Sequence, residues 1–295
     1  MTVGAVAKKQ SNFSKILTGI WDEFVYGGHL LSLGASAIVL TVTIMIHRDI
    51  SIPLILISYL VTQVIYTLNH YREIQLDIVT NPERARHLIA SKNVLPFLIS
   101  FYVISIITLL VLFSNYITII FTLVLGFLGF FYLKNLTKTI IGFKNYYVAF
   151  LWAAASVLLP YLFFSITFDK LFYFIFIFIF VRWLINTTFF DLKDVDGDRL
   201  EGLKTIPVVI GVNKTLYLLA FYNIISAFIL LFLVYSRMIE LSFISYLFFI
   251  IYTIAYLLLA VNADKEKIRK ISYIMVDGEY ILWPIIMLVG RLIAK

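Results

Sequence analysis

Eleven consecutive positions, 191 to 201, carry five acidic side chains: Asp191, Asp194, Asp196, Asp198 and Glu201. They follow directly on an apolar run, Leu171 to Phe190, long enough to cross a bilayer. A carboxylate near hydrocarbon costs about 2.5–3.5 kcal/mol at mid-membrane, so it is normally kept where it faces a cavity and serves a function. Asp191, Asp194 and Asp198 recur at i, i+3 and i+7, which places them on one stripe of a helix. Asp196 points off that stripe and reads as a solvated side chain. Oxygen ligands at this density suit a hard divalent cation, Mg²⁺ above all.

A second polar stripe lies about 120 residues earlier, at the end of another apolar run. Asn69, Glu73 and Asp77 are spaced i, i+4, i+8 and drift slowly along one helical face. A single charged segment after a span is ordinarily a solvated loop. Two acidic stripes in equivalent places, at the ends of the second and sixth runs, point instead to opposed carboxylate sets. Such sets could hold Mg²⁺ ions that in turn hold a diphosphate.

The elements that must position these stripes are membrane helices. The chain is 62% hydrophobic and 14% charged, whereas a soluble domain has about half apolar and a quarter charged residues. Nine candidate spans are predicted at about 28–46, 51–69, 94–113, 116–133, 147–165, 171–190, 215–235, 242–262 and 272–294. They read as two four-helix halves plus one further helix, in an all-α bundle forming a single domain over residues 1–295. Residues 1–27 form an N-terminal segment at the cytoplasm or the interface. That segment holds Lys8, Lys9 and Lys15 without an early apolar core, so no cleavable leader is expected.

Charge sets the orientation. With the N-terminus in the cytoplasm, eighteen of the 24 Lys and Arg residues fall on cytoplasmic segments, five fall opposite, and Arg182 lies within a span. Both acidic stripes then lie on the cytoplasmic face of a multi-pass cell-membrane protein. The net charge of +7 is dispersed over short loops, which marks topology and not a nucleic-acid surface. Cysteine is absent, which excludes disulfides and thiol chemistry.

At these motifs the chain resembles the UbiA superfamily of intramembrane prenyltransferases, a family with a nine-span helical bundle and two aspartate-rich motifs. Its second motif, D-x-x-D-x-x-x-D, is matched by Asp191, Asp194 and Asp198. The continuation G-D-R-x-x-G-x-x-T-x-P is matched by Gly197, Asp198, Arg199, Gly202, Thr205 and Pro207. The first motif, N-x-x-x-D-x-x-x-D, is matched by Asn69 and Asp77, with Glu73 standing where the family carries Asp. Asn81-Pro82-Glu83-Arg84 is similar to the loop that follows in the family. His70 stands where many members have a further Asp, and the Arg-Pro pair common at the start of the first helix is absent.

The resemblance implies transfer of a polyprenyl group from an allylic diphosphate to a small acceptor. It places one Mg²⁺ on Asn69, Glu73 and Asp77 and another on Asp191, Asp194 and Asp198. Arg72, Lys134, Lys138, Lys144 and Arg199 are candidate phosphate contacts, Lys144 foremost. Tyr132 is a candidate for the aromatic wall that would face an allylic cation. Arg182 either reaches the cavity or forms a buried structural pair. Asp277 and Glu279, at i and i+2, cannot share one helical face, so at most one of them faces the cavity. Asp22 and Glu23 read as interfacial charges.

The acceptor, whether an aromatic or a lipid, is left open, as are chain length and oligomeric state. A terpene cyclase or prenyl elongase of the same fold would use the same residues. A cation or metabolite transporter is the reading from another class, because paired acidic sites between two halves also suit alternating access. Transporter sites lie near the midplane at broken helices, however, and these stripes fall at helix ends.

Overall fold

A computed structural model of the chain describes residues 12–72, 74–130 and 134–294, and every regular element among them is helical. In order these are α1 (Asn12–Tyr26), α2 (His29–Met45), α3 (Ile52–Arg72), α4 (Ile74–Thr80), α5 (Pro82–Ser91), α6 (Leu95–Phe113), α7 (Tyr116–Phe130), α8 (Lys134–Thr139), α9 (Phe143–Phe163) and α10 (Lys170–Leu200). Then follow α11 (Ile206–Ile210), α12 (Val212–Tyr235), a 3₁₀ segment (Leu241–Tyr246), α13 (Leu247–Ala260), α14 (Lys265–Ile271), a π-helical turn (Ser272–Val276) and α15 (Gly278–Ile293).

Among the described residues, seven helices are long and apolar enough to cross a membrane. Residues Leu17–Tyr26 and α2 make an eighth if that pair, bent by 56°, is one span. The run expected at 116–133 is described as the 15-residue helix α7; residues 131–133 lie outside the described part. Large apolar side chains cover the outside. On α6, Phe97, Ile104 and Val111 are all well exposed and recur every seven residues, which is a stripe suited to lipid.

The helices close into a ring. Helix α2 packs on α3 and α9, α3 on α6 and α7, α9 on α10, and α10 on α12; α15 then returns to α2. The central core is apolar and aromatic. Trp183 stacks on Trp152 with ring centroids 4.9 Å apart, contacts Tyr280 at 4.4 Å, and donates to Ser156 Oγ at 3.1 Å.

Helix α10 positions the second acidic motif. Asp169 caps its start by accepting from the Phe172 amide at 3.0 Å, which satisfies one of the free N–H groups there. Its 31 residues rise about 46 Å, against a hydrocarbon core of about 30 Å. The last turns, with Asp191, Asp194 and Asp198, therefore continue as helix beyond the hydrocarbon and keep the i, i+3, i+7 stripe.

Arg182 takes the buried structural role of the two open to it. Its guanidinium donates to Asn223 Oδ1 at 2.7 Å and Thr253 Oγ1 at 2.9 Å, and it pairs with Glu279. One charged network thus ties α10, α12, α13 and α15 together inside the bundle. Backbone amides already saturate one another in a membrane helix, so such side-chain bonds are what fix helix register.

The bend between α1 and α2 rests on Gly28, whose φ of 86° is the left-handed region. A Cβ there would stand 2.3 Å from the Tyr66 ring. Gly28→Ala is therefore expected to cost about 1–3 kcal/mol in backbone strain before any clash is relieved. A lowered thermal unfolding midpoint in detergent is the expected readout; a wild-type midpoint would show that the bend does not need glycine.

Candidate active site

A cavity of about 310 Å³ lies between α3, α7, α9 and α10, with α4, α5 and the π-helical turn at its mouth. Its two ends differ in chemistry. Asn69, Asp77, Asn81, Arg84, Lys144, Asp191, Lys193, Asp194 and Asp198 line the mouth. Val61, Ile65, Leu125, Val148, Leu151 and Leu159 line the inner end. From Asn145 to Leu159 along α9 the apolar lane descends about 21 Å, most of one membrane leaflet and part of the next. Rings of Tyr66, Tyr147, Trp152, Phe190 and Tyr273 face the cavity between and along these ends.

Every described acidic motif residue at the mouth is paired with a cation. Arg84 holds Asp77 with two contacts, Nε to Oδ2 at 2.9 Å and Nη2 to Oδ1 at 2.5 Å. This fork geometry is the strong, directional kind. Lys144 Nζ bridges Asp191 and Asp198, 2.9 Å from each. Lys193 Nζ donates to Asp194 Oδ2 at 2.6 Å, and its own side chain is only 2% exposed. The ammonium also lies 5.4 Å from the Phe190 ring centre and 5.6 Å from that of Tyr273.

Asparagines stitch the two motifs into one mouth. Asn81 Nδ2 donates to Asp194 Oδ1 at 3.2 Å, while its Oδ1 accepts from the Tyr273 hydroxyl at 3.2 Å. Asn145 Nδ2 donates to Asp191 Oδ2 at 2.8 Å, and its Oδ1 accepts from the Ile206 amide at 3.1 Å. Asn145 is thereby clipped between α10 and the start of α11. Gly142 donates to the Lys204 carbonyl at 2.7 Å, which fixes the start of α9 and so the placement of Lys144.

Among the described residues no three carboxylate or imidazole groups stand together as a ready cage for a metal ion. Mg²⁺ rarely uses one: it binds through one or two carboxylates, water and substrate phosphate oxygens. The donors at the mouth are Asp and Asn oxygens from opposed helices, of the type it takes. Arg84, Lys144 and Lys193 currently balance their charge. The residues present therefore fit Mg²⁺ held jointly with a diphosphate.

The structure brings together Asn69, Asp77, Lys144, Asp191, Asp194 and Asp198, all expected from sequence, on one cavity. Other expected residues lie elsewhere. Arg72 is exposed and donates to the Phe130 carbonyl at 2.7 Å, with its guanidinium over the Phe130 ring. Lys138 and Arg199 are exposed and do not line the cavity, and Arg182 belongs to the Glu279 network. Asp196 is exposed and pairs with Lys265, in keeping with its solvated reading. Of the pair at i and i+2, Asp277 lines the cavity and Glu279 does not. Glu73, Tyr132 and the side chain of Lys134 lie outside the described residues.

Lys193, Arg84, Asn145, Tyr273 and the mouth role of Asn81 are the residues that sequence reasoning missed. Lys193 stands inside the second motif, and a lysine flanked by two motif aspartates could have been weighed as their counter-ion. Arg84 follows Asp77 by seven residues, but the helix breaks between them at Asn81, so their pairing comes from the turn between α4 and α5 and not from helical spacing.

A family model described as the UbiA prenyltransferase family matches residues 30–276. A digeranylgeranylglyceryl phosphate synthase of Natronomonas pharaonis is 47% identical over 36 residues, 12% of this chain and 13% of that protein. One from Methanosphaera stadtmanae is 28% identical over 103 residues, 34% of this chain and 38% of that protein. These alignments thus span well under two thirds of the relatives' lengths. Among solved structures, a UbiA homologue from Aeropyrum pernix K1 superposes with a TM-score of 0.66 at 10% identity, covering 89% of this chain and 97% of the other. A digeranylgeranylglyceryl phosphate synthase structure superposes with a TM-score of 0.57 at 16% identity, covering 94% and 99%. Both likenesses are of fold.

Proposed function

The chain belongs to the UbiA prenyltransferase family, and from that premise we propose that it is an intramembrane prenyltransferase that moves a polyprenyl group onto the hydroxyl of a prenylated glyceryl phosphate. The observation that carries this reading is the two-ended cavity, with oxyanion-binding chemistry at its mouth and a long apolar lane beneath. The names of the two curated relatives favour a glyceryl phosphate acceptor over an aromatic one.

In this reading the prenyl tail lies along Ile65, Leu125, Leu151 and Leu159, where its burial replaces contact with lipid at little cost. The diphosphate sits at the mouth. Asn69, Asp77, Asp191, Asp194 and Asp198, with Glu73, would hold two Mg²⁺ ions. Bound Mg²⁺ would supply Lewis-acid neutralisation of the charge that develops on the leaving diphosphate. Arg84, Lys144 and Lys193 sit at the mouth to add charge-assisted contacts to phosphate oxygens once their carboxylates are engaged. Tyr66, Tyr147, Trp152, Phe190 and Tyr273 exclude water and present ring faces to an allylic cation, each worth about 0.5–2 kcal/mol when desolvated.

The same reading keeps the topology expected from charge. The chain has nine spans in one domain, its N-terminus is cytoplasmic, and the cavity mouth opens on the cytoplasmic face. The asymmetry of Lys and Arg supports it.

Diphosphate release from the purified protein tests the proposal. Given geranylgeranyl diphosphate, geranylgeranylglyceryl phosphate and Mg²⁺, release should depend on acceptor and stop when EDTA removes the metal. Release that persists in EDTA would overturn the metal assignment, and release indifferent to acceptor would overturn transfer.

A further inference from the structure

Asp277 is the one acidic side chain lining the cavity that neither aspartate motif contains, apart from Glu201 at the outer rim. It is only 6% exposed, and its Oδ1 is buried with no hydrogen-bond partner among the described residues. Burying an unsatisfied carboxylate oxygen is costly, and Asp277 is among the residues that line the cavity, so the position calls for a ligand. The backbone around it is unusual too. The Asp277 amide donates to the Ser272 carbonyl at 3.1 Å, closing the π-helical turn that leads into α15. Such turns inside helices are frequent at functional sites.

Its depth separates Asp277 from the diphosphate end. Asn186 lies beside the Asp277 carboxyl and donates to the Val276 carbonyl at 3.2 Å. Asn186 precedes Asp191 by five residues and Asp194 by eight on the continuous helix α10, which places it about 7.5 and 12 Å further into the membrane. Asp277 therefore sits below the ring of motif carboxylates. With the diphosphate at the mouth and the tail in the lane, that is the level of the allylic carbon. Phe190 and Tyr273 also line the cavity.

We propose that Asp277 is the base that receives the hydroxyl proton of an alcohol acceptor during transfer. The step balances as follows. The bond between the allylic carbon and the diphosphate oxygen breaks, and its electron pair leaves with the diphosphate. A lone pair on the acceptor hydroxyl oxygen forms the new carbon–oxygen ether bond. The hydroxyl proton passes to the Asp277 carboxylate, which returns it to water after the product leaves. An ionised alcohol is a far better nucleophile than a neutral one, and a buried acceptor has no bulk water to take its proton. The assignment rests on the alcohol-acceptor reading given above, and it deepens that reading by naming the group that selects a hydroxyl.

The test compares wild type, Asp277→Asn and Asp277→Glu, with geranylgeranyl diphosphate as donor and geranylgeranylglyceryl phosphate as acceptor. Asparagine keeps the shape and removes the base, and glutamate keeps the base on a longer arm. Asp277→Asn should lower kcat by about 10²–10⁴-fold, while the KM for the donor stays within about threefold and the thermal midpoint is not lowered. Asp277→Glu should recover at least about tenfold of the lost kcat. A wild-type kcat in Asp277→Asn, or equal losses in the asparagine and glutamate variants, would overturn the base while leaving prenyl transfer standing. If wild type instead forms no ether and prenylates carbon on an aromatic acceptor such as 4-hydroxybenzoate, the alcohol-acceptor reading falls and takes the base assignment with it.

Discussion

Asp194→Asn is expected to lower turnover by about 10³-fold while leaving the protein folded. The figure follows from the several kcal/mol that metal-assisted charge stabilisation contributes at a leaving group, since each 1.4 kcal/mol is a factor of ten. Asparagine is the informative replacement. The Lys193 side chain is 2% exposed and donates to Asp194, so alanine would also strand a buried ammonium, at a cost of several kcal/mol. The amide still offers its oxygen to Lys193, at the loss of the bond that Asp194 accepts from Asn81. A rate within threefold of wild type, with an unchanged thermal midpoint, would remove Asp194 from the metal site.

The largest expected effect on stability lies away from the cavity, at Arg182 and Glu279. Both are essentially buried, and the guanidinium has further bonds to Asn223 and Thr253. Glu279→Ala is expected to destabilise the protein by about 3–5 kcal/mol, because it leaves Arg182 charged and unpaired in the bundle. The double replacement Arg182→Met with Glu279→Leu should recover most of that loss, since removing both charges removes the desolvation cost as well. Turnover per folded molecule should change little in the double variant. Unfolding in detergent followed by circular dichroism, with activity normalised to folded protein, separates the two effects. Lost turnover without lost stability would return Arg182 to the substrate site.

Much of this was legible in the chain. Asp191, Asp194 and Asp198 share a face because helical spacing survives wherever the helix does, and α10 outlasts the hydrocarbon. The helical character of the candidate spans was equally readable, because a bilayer demands long apolar runs with internally paired backbones. The i, i+2 spacing of Asp277 and Glu279 correctly implied that only one of them could face the cavity. What spacing could not supply was the partner across the bundle. Arg72 and Arg199 adjoin the motifs in sequence yet point outward, while Arg84 and Lys193 point in, because the burial of a given face is decided by packing between helices. The π-helical turn before Asp277 was likewise invisible: one extra residue per turn leaves no signature in composition, yet it sets which way Asp277 and Tyr273 face. The bend at Gly28 was hidden for a similar reason, since a glycine pair at a helix start has several uses and only the Tyr66 ring against it shows which applies.

The most direct measurement is the mass of the product formed by wild-type protein in liposomes supplied with geranylgeranyl diphosphate, geranylgeranylglyceryl phosphate and Mg²⁺. The expected product is the acceptor carrying one further geranylgeranyl group in ether linkage, formed together with an equal amount of diphosphate. Diphosphate released with only free geranylgeraniol or a cyclised hydrocarbon, and no enlarged acceptor, would contradict prenyl transfer to a glyceryl phosphate.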